Sequence, residues 1–401
     1  MPASRLLHLD AALAWSSPHA THTDRQRIER VNLWRDFFPG DLGTALNQAA
    51  VGQTVRAQFA ASELLAEPYD AARTRRIRRG QFIGRLPSGE LLAPHVGRFY
   101  PRTFVRDVPE FFAGDQRPFR CTELAVDSMA IDLNHPFARF DAQVELTMVE
   151  DLGHTAERGG RATDLAQELT ERGPGMQAAG TEFDSDFFYP EAFARMDPRP
   201  DAHFYREPRF VQHLDDTAIG CIRSLYARFF KPGMHVLDLM SSWVSHLPDI
   251  ADVEMVGLGL NAEELARNAA LGTRIVHDLN ADTRLPFSDR EFDCVVCTAS
   301  VEYLVDPLAV FRELARVVQP GAHVVMTFSD RWFPTKAIAL WSELHPFERM
   351  ALVVDYFRKS GGFSALATES IRGLPRPVDD KYAKQLPFAD PVFAVWGMRA
   401  N

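Results

Sequence analysis

The sequence predicts two domains of different class: a mostly β first half and an α/β second half built on a doubly wound parallel sheet. Three observations carry this. At 401 residues the chain is longer than one hydrophobic core usually organises. Before residue 150, runs such as QTVRAQF, GQFIGRL, MAIDL and AQVELTMV alternate apolar and polar residues, as half-buried strands do, with Gly40, Gly52, Gly80, Gly84, Gly97 and Gly114 between them. From His235 onward, continuous apolar strands alternate with helical stretches, the pattern of a parallel sheet covered on both faces.

The expected boundaries are a β domain over residues 1–150, a linker over 151–203 and an α/β domain over 204–401. The linker is rich in Gly, Thr and charge and lacks a sustained period, with one short helix around DLAQELTE. A helix follows with Asp215 or Asp216 as N-cap, because Ile219, Ile222, Leu225, Tyr226 and Phe229 recur at helical spacing. The strands then read HVLDLM, VEMVGLGL, TRIVHDLN, FDCVVCTAS and AHVVMTFS. The helices read AEELARNAA, PLAVFRELARVV and AIALWSELHPFERMALVVDYFRKSG. Two late strands, FSALATESIR and PVFAVWGMR, make seven.

Composition excludes several classes. Hydrophobic residues make up 46% and charged residues 24%, and the net charge is -10, so the overall field repels a polyphosphate backbone and nucleic acid is not expected as a partner. The basic run RTRRIRRG reads as a solvated loop or strand edge. The four cysteines are scattered, which fits a reducing cytoplasm. Cys294 and Cys297 form a CxxC, but on a strand residues three apart point to opposite faces, and no second pair completes a metal site. No segment is long and apolar enough to span a bilayer, and His8 and Asp10 interrupt the N-terminal apolar stretch that a signal peptide would need, so a cytoplasmic protein is expected.

In a doubly wound sheet, ligands bind outside the carboxyl ends of the strands. Those positions here hold Asp238, Ser241, Ser242 and Trp243 after the first strand, and Gly257-Leu258-Gly259-Leu260-Asn261 at the second. Asp278 and Asn280 follow the third, Ser300, Glu302 and Tyr303 the fourth, and Ser329, Asp330 and Arg331 the fifth.

The segment LPFSDREFDCVVCTASVEYLVDPLAVFRELARVVQPGAHVVMTFSD (Leu285–Asp330) resembles class I S-adenosylmethionine-dependent methyltransferases of the methyltransferase type 11 kind. The likeness extends over roughly residues 204–400. It implies a Rossmann-like seven-stranded sheet, an enzyme, and S-adenosyl-L-methionine as cofactor. It also implies cofactor contacts at Asp238, Ser241, Ser242, Trp243, Gly259, Asn261, Asp278, Asn280 and Ser300. The sequence departs from the pattern in two places. Met240, Ser242 and Val244 stand where the family's turn has glycines, and Gly259 stands where it has the ribose-binding acid, with Asn261 two positions on. One reading is a domain that has lost its cofactor. The other is a variant turn, in which serine is small and its hydroxyl takes over a hydrogen bond. The retention of polar residues at successive strand ends favours the variant. NAD is excluded because G-x-G-x-x-G and an acid closing the second strand are both absent.

Methyl transfer needs donor and nucleophile held in line, with a base only where the nucleophile begins protonated. His213, Tyr303 and Arg331 are the expected catalytic residues, and Tyr205, Arg209, Glu302 and Lys336 the expected substrate contacts; no metal is expected. The acceptor is expected to be a small molecule, such as a small thiol.

In the first half, DLNHPFA (Asp132–Ala138) and FPGDLGTALNQAAVGQTVRAQFAASEL (Phe38–Leu64) resemble SlyD-like FKBP-type peptidyl-prolyl isomerases. Val144 stands where that family has an aromatic residue of its proline pocket, and Arg139 replaces a glycine of the turn, so isomerase activity is not expected. The alternative function is an isomerase-like folding or binding factor with a non-catalytic methyltransferase fold. Protein methylation, with the first domain presenting the substrate, joins both halves.

Overall fold

The computed structural model describes residues 4–65, 67–86, 89–112, 114–180 and 183–401. The chain divides into two units, Met1–Tyr189 with Glu343–Ala351, and Pro190–Ser342 with Leu352–Asn401.

The first unit opens with a long antiparallel hairpin, β1 (Ser4–Ser16) and β2 (Thr21–Asn32), closed by Ser17 N–H donating to the Ala20 carbonyl at 2.9 Å. α1 (Leu42–Gln48), β3 (Thr54–Phe59) and α2 (Ala61–Leu64) follow. The chain then builds a second sheet from β4 (Thr74–Arg78), β5 (Phe99–Pro101), β6 (Pro118–Leu124) and β7 (Ser128–Asp132), and returns to the first with β8 (Ala142–Thr155). Within the unit the first sheet runs β2-β1-β8-β3 and the second β4-β7-β6-β5, all antiparallel. Alternation builds the first core: Leu7, Leu9, Ala11, Leu13 and Trp15 face inward from β1 and meet Val144, Leu146 and Met148 of β8. The second sheet has its own core of Ile77, Tyr100, Phe119, Cys121, Met129 and Ile131. The basic run supplies β4, an edge strand with only Ile77 buried.

His8 and Asp10, which interrupt the N-terminal apolar stretch, belong to β1, where Asp10 pairs with Arg27. Two particulars differ from expectation. GQFIGRL forms no regular strand: a 3-10 turn covers Arg79–Gln81, and Phe82 and Arg85 make isolated bridges to Val105 and Leu91. Of the expected linker, residues 181 and 182 lie outside the described residues. Much of the remainder is packed: α3 (Leu165–Thr170), capped by Asp164, buries Leu165 and Leu169, and Met176, Ala178 and Phe187 are buried further on. The first unit therefore runs to Tyr189, past residue 150.

The second unit begins with α4 (Asp201–Phe204) and α5 (Asp216–Tyr226), whose N-cap Asp215 accepts from Ala218 N–H at 3.0 Å. Strands and helices then alternate: β9 (His235–Leu239), β10 (Glu254–Gly259), α6 (Ala262–Arg267), β11 (Thr273–Val276), β12 (Phe292–Thr298), α7 (Pro307–Val317) and β13 (Val318–Phe328). α8 (Ala339–Glu343) and α9 (Pro346–Ser360) precede β14 (Phe363–Arg372) and β15 (Val392–Arg399). The expected single helix over this stretch is two, because Pro346 lacks an N–H and fits a first helical turn better than an interior. Part of that region, Glu343–Ala351, belongs to the first unit.

The sheet order within the unit is β11-β10-β9-β12-β13-β15-β14. The first five strands are parallel, and β15 runs antiparallel between β13 and β14. Near-continuous burial along β9, β10 and β12 follows from cover on both faces. Cys294 and Cys297 are buried free thiols of β12, and burial pushes Cys294 up to about 12.

Candidate functional site

The order reverses at β9: β10 and β11 lie to one side of it, and β12 and β13 to the other. Such a switch point leaves a crevice at the carboxyl ends of the strands. A cavity of about 180 Å3 opens there, far more than one bound water requires.

Asp238 is the penultimate residue of β9, level with Gly257 of β10 and Val296 of β12. It is buried, and its Oδ2 accepts from the hydroxyls of Ser241 and Ser245 at 2.6 and 2.5 Å. Burial raises its pKa to about 6, against the lowering effect of those two bonds. The turn that follows keeps a shape that favours glycine, since Met240 has φ +56°. Ser241 N–H donates to the Leu258 carbonyl at 2.7 Å, which draws the turn onto β10. The neighbouring residue has to be Gly259: a Cβ there would stand 2.1 Å from the Ser241 carbonyl oxygen. Asn268 ties down the far side of the turn, donating to Ser245 Oγ and the Ser242 carbonyl at 2.8 and 2.9 Å.

Of the expected cofactor residues, Asp238, Ser241, Ser242, Trp243, Gly259, Asn261, Asp278, Asn280 and Ser300 all line the cavity. Several have their polar atoms already engaged. Asn261 Oδ1 caps α6 through Glu263 and Glu264 N–H, and its amide donates to the carbonyls of Tyr205 and Arg206 at 2.8 and 3.1 Å. Asn280 bonds Asp201, the Tyr303 carbonyl and Val305 N–H. Asp278 uses Oδ1 in a turn with Asn280 and Ala281 N–H.

Tyr205, Arg209, His213, Tyr303 and Phe333 also line the cavity. Their rings gather around Phe333: His213 meets it edge-on at 5.1 Å, Tyr205 lies at 6.5 Å and Tyr303 at 6.1 Å. The Arg209 guanidinium sits 5.4 Å from the Phe333 centroid and 4.4 Å from that of Phe204. Burial, then the charges of Arg209 and Lys381, pull the His213 pKa below the ordinary histidine value, so the ring is neutral at pH 7. Burial raises the Tyr205 and Tyr303 phenols, which stay protonated.

Three expected residues are not among those lining the cavity. Lys336 is fully buried and donates to the carbonyls of Asp197 and Arg199 at 3.3 and 2.8 Å, with Asp201 at 3.1 Å, so it fastens residues 197–201. Arg331 pairs with Asp390 at 3.1 Å and lies over Tyr382. Glu302 is 1% exposed, in the 3-10 turn after β12. Position just after a strand nominated Glu302 and Arg331, but position does not fix where a side chain points.

Glu264 lines the cavity and was missed from sequence. Asn261 and Glu264 have capping-box spacing, so the pair reads as a helix start and nothing more. Glu264 instead accepts from Ser242 Oγ at 2.6 Å and from Arg209 N–H at 2.7 Å.

Residues 241–326, from the turn after β9 to the end region of β13, match the family described as a methyltransferase domain. The second unit carries a methyltransferase domain. Over 112 residues the chain is 30% identical to the demethylmenaquinone methyltransferase of Beutenbergia cavernae, covering 27% of this chain and 47% of that protein. Over 83 residues it is 34% identical to the ubiquinone biosynthesis O-methyltransferase of Aliivibrio fischeri, covering 20% and 36%. A solved S-adenosylmethionine-dependent methyltransferase from Mesorhizobium loti aligns at 17% identity over 44% of this chain and 96% of that one, with a TM-score of 0.30. The chain thus spans less than half the length of these two curated relatives.

The methyltransferase domain implies S-adenosylmethionine as cofactor, as expected from the sequence. The cavity suits it. Asp238, Glu264 and Asp278 line it with carboxylates, a charge complementary to a sulfonium and an ammonium group. Among the described residues no group of three or more His, Cys, Asp or Glu side chains forms a metal site, and no helix is long and apolar enough to cross a membrane.

Proposed function

We propose that this chain is a methyltransferase that transfers a methyl group from S-adenosylmethionine to a small-molecule nucleophile. The observation that carries the proposal is Asp238 at the switch point, braced by Ser241 and Ser245 and followed by a turn of positive φ at Met240. When bound, the cofactor supplies an electrophilic methyl group on a sulfonium. Asp238, Ser241, Ser242, Trp243 and Gly259 form the cradle beside it, with Asp278, Asn280 and Ser300 further along the strand ends. The aromatic cluster of Tyr205, Tyr303 and Phe333 excludes water and presents a flat acceptor, and the protonated Tyr205 phenol orients it by donating a hydrogen bond. His213, neutral at pH 7, takes the proton from a hydroxyl or thiol acceptor as its lone pair attacks. The name of the ubiquinone biosynthesis O-methyltransferase adds an oxygen acceptor, and that of the demethylmenaquinone methyltransferase a quinone ring, to the small thiol expected from sequence.

The first unit enters this proposal as a SlyD-like, FKBP-like domain without catalytic work. The reading is supported by a second four-stranded sheet inserted between β3 and β8 and by the DLNHPFA turn leading into β8. A cytoplasmic location is consistent with four free cysteines. Titration calorimetry with S-adenosylmethionine and S-adenosylhomocysteine tests the proposal. Micromolar binding is expected, and no binding of either at high concentration would refute it.

A further inference from the structure

The family pattern places a ribose-binding acid at the end of the second strand, and this chain has Gly259 there. The two residues nearest that place are closed to the task. No side chain fits at 259, because its Cβ would overlap the Ser241 carbonyl. Asn261 has its acceptor on two helix N–H groups and its donors on two carbonyls. Asp238 lies on the neighbouring strand with Oδ2 taken by two serine hydroxyls, and Asp278 follows β11. Of the two carboxylates in the first turn of α6, directly after β10, Glu264 lines the cavity.

We propose that Glu264 is the group that accepts the hydroxyl hydrogen bonds of the cofactor's ribose, in place of the missing strand-end acid. The inference rests on the cofactor reading above. Glu264 sits one turn into α6, directly after β10, and lines the cavity while only 7% exposed. Ser242 Oγ holds one of its oxygens and Arg209 N–H the other, so the carboxylate is fixed without being used up: each oxygen keeps a lone pair. Its anchor Ser242 is one of the residues that replace glycine in the cofactor turn. The carboxylate is therefore held at the cavity wall between that turn and the start of α6. The capping-box bond its spacing offers is not made, which leaves the side chain turned toward the cavity.

The test compares the binding of S-adenosylhomocysteine and its 2′,3′-dideoxy analogue to the wild-type chain, E264Q and E264D by calorimetry. Wild type is expected to prefer the natural ribose by about 10- to 100-fold, as for a hydrogen bond to a charged group. E264Q is expected to bind both ligands at the level of the analogue. E264D, which keeps the charge but withdraws the oxygens, is expected to lose most of the preference and reports independently if E264Q folds poorly. An undiminished preference in E264Q and E264D overturns the assignment, as does a wild type that binds both ligands equally. Failure of the wild type to bind S-adenosylhomocysteine at all overturns the cofactor reading itself.

Discussion

Gly259→Asp restores the acid that the family pattern carries, and on sequence logic alone it should tighten cofactor binding. The structure predicts the reverse. Any Cβ at 259 meets the Ser241 carbonyl oxygen at 2.1 Å, nearly 1 Å inside the 3.0 Å that real Cβ atoms respect. Neither partner can yield alone. Gly259 is pinned in β10 opposite Val276 of β11, and the turn is pinned by the Ser241 N–H bond to Leu258 and by the two hydroxyls on Asp238. Moving the turn by an ångström gives up the backbone bond, worth about 1 kcal/mol, and at least one bond to the carboxylate, worth about 2 kcal/mol. The sum of about 3 kcal/mol is a cost to the stability of the folded unit. G259D and G259A should therefore both lose about 3 kcal/mol in urea melts, and calorimetry with S-adenosylhomocysteine should show weaker binding for both because the cofactor turn is displaced. If G259D binds as tightly as wild type, the close contact between turn and strand is wrong.

The backbone at Met240 predicts that M240G is more stable than M240A by about 1 kcal/mol, because alanine keeps the left-handed strain that glycine relieves; urea melts of the transition that S-adenosylhomocysteine shifts will measure it, and equal stability would contradict the positive φ. Asp238 has a folded pKa raised to about 6, so the native state binds the extra proton between about pH 4 and 6. Its contribution to stability therefore declines as pH rises through that window and is flat above it. D238N should remove that slope, seen as the pH-dependent difference between its melts and those of wild type. His213→Gln should leave S-adenosylhomocysteine affinity within about threefold while slowing methyl transfer to a hydroxyl acceptor by about 100-fold, with the wild-type rate falling as His213 protonates below its lowered pKa. Lys336→Met should lower stability by about 3 kcal/mol, since it leaves a buried carboxylate short of a partner; an unchanged melt with a lost rate would return Lys336 to the active site.

The second unit was legible because its signals are local. Each parallel strand is an apolar run with a polar residue at its end, and Asp238, Ser241 and Asp278 follow from that alone. What could not be read depends on contacts far along the chain. Leu7, Leu9, Ala11, Leu13 and Trp15 alternate clearly, yet their strand is defined by pairing with β2 and β8, and β8 lies more than a hundred residues away. Lys336 looks like a candidate cation until Asp197, Asp201 and Arg199 are seen around it. Glu264 is hidden for the opposite reason, since a local rule already accounts for its spacing.

The departures in the turn make sense as one change. In the family pattern the turn carries glycines, and an acid on the next strand provides the carboxylate. Here Met240 adopts the left-handed conformation without glycine, at a cost of about 1–2 kcal/mol. The close approach is supplied from the other side, by Gly259, and that choice removes the acid. Glu264 then stands one helical turn away, fastened to Ser242 of the same turn. Each substitution is harmful singly: an acid at 259 collides with the turn, and a turn drawn onto β10 without Glu264 has no carboxylate there. A domain without a cofactor has no use for this fit between the turn, Gly259 and Glu264, so the fit argues for a working variant site.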